Sequence, residues 1–162
     1  MSQNNYRFYA FVHFMLSDIQ KGIQTGHCSN DLLVKYETKS KLHKMAIDWA
    51  KNDKTYIVLN GGNSETLQNH HNFLSNQNKY PTCTFREDED SLRGIMTCVG
   101  ILLPSSVWNV THDKDSDTYV SQSDDEINKF GLKHFGLGNM YNLNTNRLEF
   151  DIIRTIKSAK LA

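Results

Sequence analysis

Six residues within eleven positions could hold and work on an anion: Ser17, Asp18, Lys21, Gly22, Gln24 and His27. Apolar spacing turns helical from Ile19, through Ile23, Gly26, Leu33 and Tyr36, so a helix is predicted from about Ile19 to Tyr36. Ser17 or Asp18 would cap it. The first backbone N–H groups of a helix are unpaired and carry partial positive charge, which makes a ready anion site. Lys21 adds a full charge, and Gly22 lets a ligand approach the backbone closely. His27 could donate to a phosphate or act as acid or base. The competing reading is an ordinary capped helix with an exposed Lys and a packed His.

Glu87, Asp88 and Asp90 form a second group, able to supply a general base or bind a cation. A solvated acidic loop is the favoured account of them. Cys28 follows His27 directly, and adjacent helix residues point roughly 100° apart, so the two are no nucleophile–base pair. Cys28 reads as a packing residue. His70 and His71 cannot share one metal from a regular helix, where i and i+4 is the workable spacing. Asp113 to Asp124 has EF-hand-like oxygen ligands at positions 1, 3, 5, 9 and 12, with Val120 at position 8. Thr118 stands where the sharp turn wants Gly, and Asp124 is shorter than the usual Glu. A flexible acidic loop is the better account.

The elements that must position these residues alternate. Tyr6–Leu16 is a continuous aromatic and apolar run, read as a buried strand. After the first helix come a second helix over Lys41–Asn52, a strand over Thr55–Leu59, and a helix capped by Ser64 running to Ser75. A short strand at Thr82–Phe85 precedes the acidic loop Glu87–Gly94, and Ile95–Leu103 is a buried strand closed by Pro104. Residues 105–146 are polar and read as mostly irregular, and Arg147–Leu161 is a last helix. The fold class is therefore α/β: a mixed, mostly parallel four-stranded sheet with helices on its faces, plus an irregular polar segment and a C-terminal helix. Residues 1–104 would form the main domain, with 105–162 packed on it.

A length of 162 residues suits one such domain. Lys+Arg and Asp+Glu are 18 each, so no whole-molecule basic field exists for gripping nucleic acid. The charge is unevenly spread: residues 82–126 carry ten acids against three bases, and residues 127–162 carry six bases against two acids. Three cysteines with no CxxC spacing suggest reduced thiols in a cytoplasm. No apolar run is long enough to span a membrane.

The run Gln20-Lys21-Gly22-Ile23-Gln24-Thr25-Gly26-His27-Cys28-Ser29-Asn30-Asp31 resembles the Gly-Lys-Gly-Lys-x-Ala-Ala-Gln-Cys-Ser-His-Ala segment of the type-2 peptidyl-tRNA hydrolases. It aligns without a gap, and Lys21-Gly22 and Cys28-Ser29 match. Ser64-Glu65-Thr66-Leu67 resembles that family's Glu-Thr-Leu passage, and Thr97-Cys98-Val99-Gly100-Ile101 its Thr-Val-Leu-Gly-Ile. The likeness covers roughly Tyr6 to Pro104. The longer form, with its polar insert and closing helix, resembles uncharacterised tailed-phage proteins. The family's second Lys falls at Ile23, its Gln at His27 and its His at Asn30. Its Asp-Ala-Gly-Arg-Thr-Gln loop falls near Arg86–Asp90 without the Gly, Thr or Gln.

The resemblance implies an acidic loop beside the first helix start, where Lys21 or His27 meets Glu87 or Asp88. Two functions follow. One is a nucleotide- or RNA-binding protein, holding a phosphate-bearing ligand through Ser17, Asp18, Lys21, Gly22 and Gln24, as in sequestering a signal nucleotide. The other is a hydrolase of an ester or phosphodiester of tRNA or a related nucleotide, with His27 shuttling protons and Glu87 or Asp88 positioning water. The lost family residues favour binding. The expected partner is a nucleotide or tRNA, with a homodimer as a further expectation, and no cofactor or metal is called for.

Overall fold

A computed structural model describes residues 5–113, 118–121, 140–141 and 147–162. The chain divides into two compact units, Asn5–Leu103 with Ala159–Ala162, and a second within Pro104–Ser158. The first unit contains β1 (Tyr6–Val12), α1 (Asp18–Lys35), α2 (Lys41–Asn52), β2 (Thr55–Asn60), α3 (Ser64–Ser75), β3 (Thr82–Arg86), the single turn α4 (Glu89–Leu92) and β4 (Met96–Pro104), whose last residue begins the second unit.

The architecture is α/β, with a four-stranded sheet in the order β2-β1-β4-β3. β1 and β2 run parallel, from Arg7 opposite Thr55 to Val12 opposite Asn60. β3 and β4 run antiparallel. β4 also neighbours β1, and His13 N–H donates to Thr97 O, so the end of β1 lies beside the start of β4 and this pair is antiparallel too. The expectation of a mostly parallel sheet is therefore corrected to a mixed sheet with one parallel pair. The reason is connection length. Two helices separate β1 from β2 and provide a crossover, whereas the short link from Arg86 to Met96 only allows the chain to fold back.

β4 is the central strand anticipated from its composition, and every residue from Met96 to Leu103 is buried. Gly100 is required there. A Cβ at that position would sit 2.3 Å from Phe8 Cζ and 2.9 Å from Cys83 Sγ. Alternation along β1 sends Phe8 toward Trp49 of α2, at 5.5 Å between rings, and Phe11 toward His70 of α3, at 4.4 Å. Helices thus cover both faces.

Several element boundaries differ from the sequence reading, most by one residue. β1 ends at Val12 rather than Leu16, and Phe14 and Met15 are exposed. Phe14 N–H donates to Gly62 O and Leu16 N–H to His13 O, so the chain turns off the sheet without a Gly or Pro to announce it. Asn63, not Ser64, caps α3, its Oδ1 accepting from Thr66 N at 3.0 Å. The last helix stops at Ser158. Beyond it Asn60 N–H donates to Lys160 O at 2.8 Å and Ala162 N–H to Val58 O at 3.1 Å, so the tail pairs with the free edge of β2.

The second unit contains α5 (Ser105–Trp108), β5 (Val110–Asp113), β6 (Thr118–Ser121), β7 (Met140–Tyr141) and α6 (Arg147–Ser158). β5, β6 and β7 form an antiparallel sheet, a correction to the irregular segment expected here. Phe150, Ile152 and Ile153 of α6 are buried. Asp113 pairs with Thr118 across the β5–β6 ladder, so the EF-hand-like run contains strands, not the flank of a helix–loop–helix. Its positions 114–117 and 122–124 lie outside the described residues.

Candidate functional site

Alternate residues of β3 face α1, and α1 passes over them in the opposite direction. Cys83 meets Cys28, with their sulfurs 3.0 Å apart. Two residues on, the Phe85 ring stacks on His27, with centroids 4.8 Å apart and planes 19° from parallel. Just past the strand, Glu87 Oε1 accepts a hydrogen bond from Gln24 Nε2. Along the strand these residues are spaced by two; along the helix Gln24 lies three and four residues before the adjacent His27 and Cys28, one turn nearer the helix start.

Gln24 is buried at 6% exposure, and its other amide atom is also used: Thr97 Oγ1 donates to Gln24 Oε1 at 3.0 Å. Thr97 sits at an irregularity. Phe85 pairs with Cys98 and Arg86 with Met96, so Thr97 has no partner on β3. Such a bulge re-aims a side chain. Ser91 Oγ of α4 lies 3.2 Å from Asp88 O and 3.4 Å from Glu87 Oε2, so its one proton is shared between the two and Gln24 is the firm partner of Glu87.

Lys21, Gln24 and His27 lie three residues apart and form one slanted row on α1. Lys21 Nζ donates to Asp18 Oδ1 at 3.2 Å. The Asp18 side chain is 97% exposed against 18% for Lys21. Ser17 is committed to the fold: its Oγ accepts from Gln20 N, and the Gln20 side chain accepts from Ser17 N in return. Around Gly22 a Cβ would meet nothing within 4 Å, so the helix surface there is open.

The candidate residues are thus only partly assembled. Gln24, His27 and Glu87 come together, with Lys21 one turn away. Asp88 is exposed and precedes α4, its carbonyl accepting from Ser91 N, and no described contact joins it to α1. Three contributors escaped the sequence reading. Phe85 was hidden in a short strand, Ser91 in a loop, and Thr97 in a run read as core. The period of two from Cys83 through Phe85 to Glu87 was the available signal for Phe85.

A further polar contact adjoins Thr97. His13, whose backbone N–H reaches Thr97 O, has Nδ1 accepting from Met15 N at 3.3 Å. Its Nε2 must then carry the proton and donate to Ser64 Oγ, also at 3.3 Å. Ser64 is therefore an acceptor from His13, the reverse of an activated nucleophile. Burial lowers the His13 pKa, which keeps this neutral tautomer favoured.

Among the described residues no group of three or more His, Cys, Asp or Glu side chains is placed to hold a metal ion. No described helix is long and apolar enough to cross a membrane. No protein-family model and no curated protein matches the chain.

Proposed function

We propose that this chain is a nucleotide- or RNA-binding protein, holding a phosphate-bearing ligand at the start of α1. One observation carries the reading: the row Lys21–Gln24–His27 ends on an exposed imidazole stacked on Phe85, beside the acceptor Glu87. A stacked ring pair offers a flat face on which a base can stack. Lys21 would take the phosphate, since its present partner Asp18 is almost wholly in water and a surface ion pair is easily exchanged. The open surface at Gly22 would admit the phosphate to the helix start. The resemblance to type-2 peptidyl-tRNA hydrolases points to the same ligand class, and a sequestered signal nucleotide fits it.

A hydrolase of tRNA or nucleotide esters is the second reading. It is favoured by Glu87, whose carboxylate is held on one oxygen by Gln24 and could orient a water with the other. The test is calorimetric titration with tRNA and with linear and cyclic nucleotides, followed by chromatography of the recovered ligand. Binding with unchanged ligand supports the first reading. A new product supports the second. Silence toward all of them removes both.

A further inference from the structure

All three cysteines of the chain converge between α1 and the β3–β4 pair. Cys28, Cys83 and Cys98 are each 1% exposed or less. Cys83 and Cys98 lie on paired strands, Cys83 opposite Gly100 and Cys98 opposite Phe85. Gly100 leaves the space into which the Cys83 sulfur fits, since a Cβ there would come within 2.9 Å of it. Cys28 descends from α1 onto this pair, and its sulfur stops 3.0 Å from that of Cys83. That is about 1 Å beyond a disulfide's roughly 2.0 Å bond, so a small slide of the helix closes it.

We infer that Cys28 and Cys83 are a thiol pair built to form a reversible disulfide between α1 and β3 under hydroperoxide. The reaction balances as follows. The Cys28 thiolate attacks one peroxide oxygen, the O–O bond breaks, and water leaves once the departing hydroxide takes a proton. This yields a sulfenic acid at Cys28. The Cys83 sulfur then attacks the Cys28 sulfur, the S–O bond breaks, and a second water leaves with the Cys83 proton. Two thiols are oxidised and one hydrogen peroxide is reduced to two waters.

Polarity within the cluster favours Cys28 as the attacking sulfur. Burial pushes its thiol up, but hydrogen bonds from Cys83 and then Cys98 outweigh that and hold it down at about 5. Burial and the Cys28 neighbour push Cys83 up, so it keeps its proton until the second step. β3 is an edge strand, so a local lifting of α1 from the sheet edge gives peroxide its entry. The bond would lie beside the His27–Phe85 stack, because Cys28 follows His27 and Cys83 precedes Phe85 by two residues.

The test is peroxide treatment of the full chain, quenching by alkylation under denaturing conditions, and peptide mass mapping. The expected product is a monomer two mass units lighter with Cys28 linked to Cys83. It should melt roughly 5–10 °C higher, from the long loop that the bond closes, and dithiothreitol should reverse the change. Cys98→Ala should still form the bond, and Cys83→Ala should stop at Cys28 sulfenic acid, trapped by dimedone. Three free thiols after prolonged peroxide would overturn the inference. So would a Cys28–Cys98 or Cys83–Cys98 link, or a dimedone label at Cys98 in place of Cys28. The readouts need no ligand, so their failure is separate from failure of the proposed function.

Discussion

Thr97 Oγ1 donates to Gln24 Oε1, and that one bond decides which way the buried amide faces. With Oε1 taken, Nε2 is left to reach Glu87, so a β4 side chain orients the carboxylate beside α1. Thr97→Val keeps the shape and deletes the donor. Gln24 Oε1 would be left unsatisfied in the interior, at a cost of about 1–3 kcal/mol. Urea unfolding should register that loss, and an unchanged midpoint would mean the amide does not depend on Thr97.

Lys21→Ala should weaken any phosphate-bearing ligand by about 1–3 kcal/mol, the value of a charge-assisted hydrogen bond. Lys21→Arg should recover part of it, since the guanidinium cannot occupy the ammonium's position without moving the loop. Loss of the ion pair should itself hardly move stability, because its partner Asp18 is 97% exposed, while the covered Lys21 stem, 18% exposed, adds a small packing loss that Lys21→Arg avoids. Titration calorimetry and thermal melts on the same samples separate the two effects.

His27→Ala distinguishes the two functional readings. For a binding protein it removes half of the ring stack on Phe85, and affinity falls. For a hydrolase, turnover should fall further than affinity, since a proton shuttle acts at the transition state. Phe85→Leu should lower affinity under either reading and spare turnover at saturating ligand. Equal loss of turnover in both variants would deny His27 a chemical role.

Acid should destabilise the fold below about pH 6.5, the ordinary histidine value. Burial lowers the pKa of His70, stacked on Phe11, and also those of His13 and His71. A histidine held neutral in the fold takes up its proton first in the unfolded chain. Its stabilising share is complete above the unfolded pKa and declines as pH falls from there toward the folded pKa. Unfolding free energy should therefore rise with pH between about 5 and 7, and His70→Gln should flatten that slope. Equal slopes for the two proteins would place the proton uptake elsewhere.

Gly100→Ala should cost about 1–3 kcal/mol or more, because the added methyl collides with the Phe8 ring and with Cys83. Phe8→Leu in the same chain should recover part of it. Additive losses would show that the two positions do not share the space.

The long elements were legible because their periodicity is unambiguous. α2 spans Lys41–Asn52 as its Leu42, Met45 and Trp49 stripe predicts, and β4 is the buried centre that its unbroken apolar run implies. β1 was overrun because Phe14 and Met15 are apolar yet exposed, and composition cannot distinguish a strand from the loop leaving it. Sheet direction was misjudged because a strand order says nothing of whether a link crosses over. At the site, Lys21, Gln24 and His27 were visible as anion-binding residue types near a predicted helix start. Thr97 was not, since the bulge that separates it from β3 is a property of two strands together.

Ala159–Ala162 lies against β2 although the paired residues Leu59 and Leu161 are about a hundred positions apart in sequence. On the ribosome, β2 therefore emerges well before the segment that covers its outer ladder. At roughly 5–20 residues per second, that edge stays open for about 5–20 seconds. Throughout that interval Val58 O and Asn60 N–H, the groups the tail later pairs, can recruit a strand from another nascent chain. Crowded synthesis on one message is thus the situation in which this protein is most exposed to mispairing, and the closing tail sets when the hazard ends.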